Sequence, residues 1–169
     1  MKILSVLIAI SLLLFVSFDS FALDPNPPGE LSVVISVSDT PDFIKQWVRT
    51  HPEKPGYIKN LNEVSIGHLF HVAFIVTGYE INNKGKADLV GDFILLAPDG
   101  SIGAERKDTC INKQYMKKYP IGFVMLDPAI DLRFEEGTPL GVYVVKAIVR
   151  DKVSNKIVVG EYSITLKAK

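Results

Sequence analysis

Apolar and polar positions alternate with a period of two along most of this chain, and that period predicts strands. Residues 31–38 read Leu-Ser-Val-Val-Ile-Ser-Val-Ser, β-branched and partly alternating, which suits a first strand. Over 69–79, Phe70, Val72, Phe74 and Val76 fall on one face; over 89–96, Leu89, Phe93 and Leu95 do so. Ala97-Pro98-Asp99-Gly100 is a turn, because proline presets φ and glycine accepts positive φ. A short strand over 101–106 completes that hairpin. Two further short strands, 122–126 and 130–134, flank Asp127-Pro128; in the second, Ile130, Leu132 and Phe134 point inward while Asp131, Arg133 and Glu135 point outward. The clearest alternation comes last. Residues 141–150 and 156–166 are long strands joined by Asp151-Lys152-Val153-Ser154-Asn155, a loop of hairpin length. Tyr143, Val145, Ala147 and Val149 line one face of the first, and Val158, Tyr162, Ile164 and Leu166 one face of the second.

Two segments depart from this period. Asp39-Thr40-Pro41 is a helix start, with a capping oxygen followed by proline at the first helical position. Phe43, Ile44, Trp47 and Val48 then share one helical face, Asp42, Lys45, Gln46 and Arg49 the other, and His51-Pro52 ends the run. A helix of about ten residues is unstable alone, so its apolar stripe must dock. The second departure, 107–119, has no period and is read as a loop rich in lysine, carrying Cys110, Lys113, Tyr115, Met116 and Tyr119.

About seven or eight short strands separated by turn residues read as a β-sandwich. Within it, Gly137-Thr138-Pro139-Leu140-Gly141-Val142-Tyr143-Val144-Val145-Lys146-Ala147-Ile148-Val149-Arg150-Asp151 resembles the penultimate strand of bacterial immunoglobulin-like domains. In those a Pro-x-Gly-x-Tyr opening leads into alternating valines and ends at an aspartate before the last hairpin. The resemblance runs from about residue 137 to 166. It implies a mainly β, immunoglobulin-like antiparallel sandwich with one short amphipathic helix near residues 41–50, and a structural hydroxyl bond from Tyr143. That fold hosts adhesion, binding, chaperone and structural roles alike, so it implies no activity.

The N-terminus changes the picture of where the chain works. Lys2 precedes an almost unbroken apolar run over 3–16, and Ser20-Phe21-Ala22 supplies small residues at the positions a signal peptidase accepts. The run is short for a spanning helix, which needs about 20 apolar residues. The expectation is a cleavable signal peptide over 1–22, a flexible Pro-rich leader over 23–30 and one sandwich domain over 31–169, periplasmic or secreted. A transmembrane anchor is the competing reading, and Asp19 argues against it. The cut site has no cysteine nearby for a lipid anchor.

Charge is balanced, 19 basic against 19 acidic side chains, and cleavage of the signal peptide removes one of each. Nucleic acid and anionic membrane surfaces both favour a basic excess, so neither is expected as a partner. Candidate chemistry is sparse. His68-x-x-His71 would chelate on a helix, but on a strand the two side chains point to opposite faces. Asp131, Glu135 and Glu136 are surface carboxylates expected to pair across strands with Lys146 or Arg150. Asp88 and Asp92 share one side of their strand. Cys110 is the only cysteine and has no nearby histidine to serve as base, so it reads as a free thiol. No catalytic residue, metal site or cofactor is assigned.

The less ordinary feature is an apolar back. Val142, Val144 and Ile148, with Ile157 and Val159, occupy the face of the last hairpin that should be polar, as do Ala73 and Ile75 on their strand. The helix carrying Trp47 is the expected cover; left open, such a surface would receive a partner or a second copy. These features point to an exported, noncatalytic binding or accessory module, engaging another extracytoplasmic protein through Lys113, Tyr115 and Tyr119 of the loop and the helix rim at Trp47. The alternative is a periplasmic protein holding a small ligand or metal in a pocket between helix and sheet.

Overall fold

The computed structural model describes residues 30–42, 59–113 and 122–169. The expected signal peptide, the helix stripe with Trp47, and Tyr115 and Tyr119 lie outside the described residues. Nine strands are described: β1 Ser32–Ser38, β2 Glu63–Ser65, β3 Leu69–Thr77, β4 Leu89–Leu96, β5 Ile102–Asn112, β6 Val124–Met125, β7 Ile130–Arg133, β8 Gly141–Asp151 and β9 Lys156–Lys167. They form two sheets. In one, β3 lies between β1 and the pair β6 and β7; the other runs β2-β9-β8-β4-β5.

The period-two reading places the core correctly. Phe70, Val72, Phe74 and Val76 of β3, and Tyr143, Val145, Ala147 and Val149 of β8, are all buried between the sheets. Leu89, Phe93, Ile164 and Leu166 join them. Burying such side chains contributes about 1.5–3 kcal/mol each, which is what holds the layers together. Gly160 of β9 lies where β1 crosses: a Cβ there would meet Val33 Cγ1 at 2.8 Å and Val33 O at 3.1 Å. A side chain would therefore push the two layers apart.

Two elements differ from expectation. The strand expected over 101–106 continues to Asn112, so Cys110 lies in β5 and not on a loop. The alternation fails to show this because the strand is interrupted. Gly91 pairs with Cys110 and Phe93 with Arg106, so 107–109 stand opposite Asp92 alone. This bulge breaks the period that a sequence reading depends on.

The other is β2, three residues paired in parallel with β9, in a sandwich expected to be wholly antiparallel. Asn60 and Leu61 explain it. Asn60 Oδ1 accepts from Ser36 Oγ and Val37 N, and Leu61 N donates to Val37 O, so the chain returns along the edge of β1. Tyr162 Oη then donates to Leu61 O and Thr165 N to Asn62 O, carrying it across to β9. The N-terminal edge is thus divided between both sheets.

On the far side, segment 124–127 joins the sheets again. Leu126 N donates to Phe74 O, while Ile111 and Asp127 exchange two backbone hydrogen bonds of 2.8 and 2.9 Å. Asn112 Nδ2 adds a bond to Met125 O.

Candidate functional site

The bulge positions the most concentrated charge in the described chain. With 107–109 looped out, the backbone N–H of Asp108 turns toward β4 and donates to Asp92 Oδ1 at 2.7 Å. Asp108 itself has φ of +52°, a conformation that aspartate tolerates better than most residues. From β8, Arg150 donates Nη1 to Asp92 Oδ2 and Nη2 to Asp92 Oδ1, both at 2.6 Å, and Nη2 also reaches Asp108 Oδ1 at 2.7 Å. Asp92 is buried, yet the hydrogen bonds from Arg150 outweigh desolvation and hold its carboxyl below the usual carboxylate range. The same bonds push the Arg150 guanidinium further up. One cation thus fastens two carboxylates and spans three strands. Its geometry is that of a clamp, since both Asp92 oxygens accept from Arg150 and Oδ1 accepts from Asp108 N as well.

The remaining polar groups follow the same logic. Asp151 is almost fully buried at the β8–β9 turn; Oδ1 accepts from Val153 N, and Oδ2 from Ser154 Oγ and from Glu80 N. It secures the loop before β4 to the last hairpin. Tyr143 Oη donates to Pro139 O at 2.8 Å, the structural bond that the resemblance implies. Its ring packs at a tilt against Phe134, which in turn meets Phe70.

Several sequence expectations are corrected here. Asp131 does not pair with Lys146 or Arg150, which belong to the opposite sheet; it shares a 2.6 Å hydrogen bond with buried His71 Nδ1. Lys146 instead pairs with Glu161 at 3.0 Å. His68 is exposed beside the turn at Gly67 and stands apart from His71. Among the described residues no three of His, Cys, Asp and Glu are grouped to hold a metal. Cys110 points into the core, where burial pushes its thiol up to about 11 against a weaker opposing pull from Arg106.

Of the expected binding residues, Lys113 alone is described. It is exposed at the exit of β5, with its ammonium 3.9 Å from Asp88 Oδ1. The apolar backs divide. Ala73 and Ile75 are buried as their pattern demands, but the back of the last hairpin is open: Val142 is 50% exposed, Val159 51% and Ile157 65%. The helix expected to cover that hairpin lies outside the described residues.

Two facing sheets, one with β1 beside β3 and the other in the order β9-β8-β4-β5, and a tyrosine at the start of β8 bonded back to Pro139 define an immunoglobulin-like β-sandwich domain. No protein-family model and no curated protein matches the chain. Solved structures similar to it include an alkylpurine DNA glycosylase from Pseudomonas fluorescens bound to DNA containing an abasic site analog (12% identity, TM-score 0.45, 85% of this chain). This chain spans only 32% of that one. The CARDB domain of a Pyrococcus furiosus protein in complex with di-metal ions is similar over 84% of this chain and 94% of its own, at 12% identity and TM-score 0.41. An immunoglobulin-like protein from Pseudomonas aeruginosa is similar over 83% and 98%, at 14% identity and TM-score 0.35. It is the strand order, and not these likenesses, that defines the class.

Proposed function

We propose that this chain is an exported, noncatalytic binding module that engages another protein of the extracytoplasmic space through the connection leaving β5. The observation that carries the reading is how that connection is mounted. Ile111 and Asp127 form a two-bond bridge at its base, Asn112 fastens to Met125, and Lys113 emerges exposed between them. A connection whose two ends are fixed to both sheets offers recognition residues on a rigid base, the usual arrangement of binding loops on a sandwich. The charged clamp at Asp92 and Arg150 supports the noncatalytic part, because its groups are engaged with one another.

Crosslinking in the native host followed by mass spectrometry tests this reading. Lys113→Glu, Tyr115→Ala and Tyr119→Ala combined should reduce recovery of the partner while the melting temperature stays nearly unchanged. Undiminished recovery would remove the connection from consideration. N-terminal sequencing of the chain from its host should begin at Leu23; retention of residues 1–22 would overturn export by cleavage.

A further inference from the structure

The outer face of β8 and β9 is a ladder of five paired positions, and the ladder is complementary to itself. From one end it reads Arg150 with Ile157, Ile148 with Val159, Lys146 with Glu161, Val144 with Ser163 and Val142 with Thr165. The base of the central pair lies on β8 and the acid on β9. Apolar positions flank that pair on both sides, with Val142, Val159 and Ile157 half or more exposed. Arg150, at the end of the ladder, is neutralised by Asp92 and Asp108 and brings no free charge.

We infer that this face pairs with the same face of a second copy of the chain, about a two-fold axis running between β8 and β9 along the strands. Rotation about that axis lays β9 of one copy over β8 of the other and keeps each pair at its own level. Glu161 then faces Lys146 of the second copy, and Lys146 faces Glu161 of the second copy, giving a square of alternating charges. Val159 meets Ile148 of the second copy on one side of the square. The self-complementary patch is what a closed two-fold interface requires. Stacked sheets pack with strands within about 30° of each other, so the match is best at the central levels. Five levels at about 6.8 Å and a width of four strands at about 4.8 Å give at most roughly 650 Å² in plane per copy. That is at the low end for specific association, so the dimer dissociates in the micromolar range or above.

Sedimentation of the chain, purified as its host processes it, over about 5–500 µM tests the pairing. The wild type should pass from monomer to dimer within that range. Lys146→Glu alone and Glu161→Lys alone each place like charges in the square and should raise the dissociation constant at least ~10-fold. Mixed one to one, the two variants regain opposite charges at every contact between the copies and should form a heterodimer at wild-type strength. The mixture separates loss of complementarity from loss of folding. A wild type that stays monomeric to about 500 µM would overturn the proposal, as would single variants that dimerise undiminished or a mixture that stays monomeric. Lys113 follows β5, away from the β8–β9 ladder, and the loop substitutions and charge reversals change different residues, so the two readings fail independently.

Discussion

Arg150 holds Asp92 by two hydrogen bonds of equal length, 2.6 Å, at the larger of the two breaks in the β4–β5 register. The clamp compensates for the ladder bonds that the bulge removes, and it fixes the path of 107–109 through Asp108. Arg150→Met should therefore destabilise strongly, by about 3 kcal/mol, because it leaves a buried carboxylate without its cation. The double variant Asp92→Leu with Arg150→Met should lose less than the two single losses combined. Urea unfolding of the four proteins in a mutant cycle measures the difference, and strict additivity would show that the pair is not coupled.

The clamp also sets an acid limit. The Asp92 carboxyl titrates lower in the folded chain than in the unfolded one, where an aspartate has a pKa of about 3.9. Its contribution is therefore complete above that value and is lost as pH falls through the folded value. Asp99 is also lowered, by its bond to the Ser101 hydroxyl, so the wild-type slope alone is ambiguous. The difference between wild type and Asp92→Asn isolates the clamp. That gap should be constant from pH 5 to 7 and narrow below about pH 4. A gap that stays open to pH 2 would contradict the sign.

Cys110 should be inert while the chain is folded. Burial raises its thiol to about 11, so at pH 8 almost none is thiolate, the form that attacks disulfides. Ellman's reagent should react with no thiol of the native protein and with one per chain in denaturant. Rapid labelling of the native protein would mean that β5 opens near the bulge.

The fold was readable where large apolar side chains recur at every second position of a strand. Phe70 to Val76 and Tyr143 to Val149 follow a period of two without interruption, and each inward residue is where the pattern puts it. Where the period fails, so does the reading. Lys107, Asp108 and Thr109 look like loop because three residues face one, and that mismatch depends on the neighbouring strand. Asp92 and Arg150 are 58 residues apart, and only the β4–β8 register brings them together. The same holds for His71 and Asp131. Asp151, by contrast, could have been found: an aspartate three residues before a serine at a hairpin turn is a local hydrogen-bonding signal.

Gly160 sits where the two layers touch, and a side chain there has no room. It occupies an ordinary strand position opposite Ala147, so nothing in its local geometry demands glycine. The constraint comes from β1. An added Cβ would approach Val33 Cγ1 to 2.8 Å and Val33 O to 3.1 Å, and while the methyl can rotate away the carbonyl is backbone and moves only if β1 moves. Gly160→Ala should cost about 1–3 kcal/mol, the range for overfilling a packed interior. Gly103→Ala is the control: its Cβ would meet only Leu95 O, at 3.6 Å, and stability should hold or rise by a few tenths of a kcal/mol. Adding Val33→Ala to Gly160→Ala removes one obstacle and leaves the other, so it should restore only part of the loss. Thermal unfolding of the three variants decides the point, and an unchanged Gly160→Ala protein would show that the layers have room to separate there.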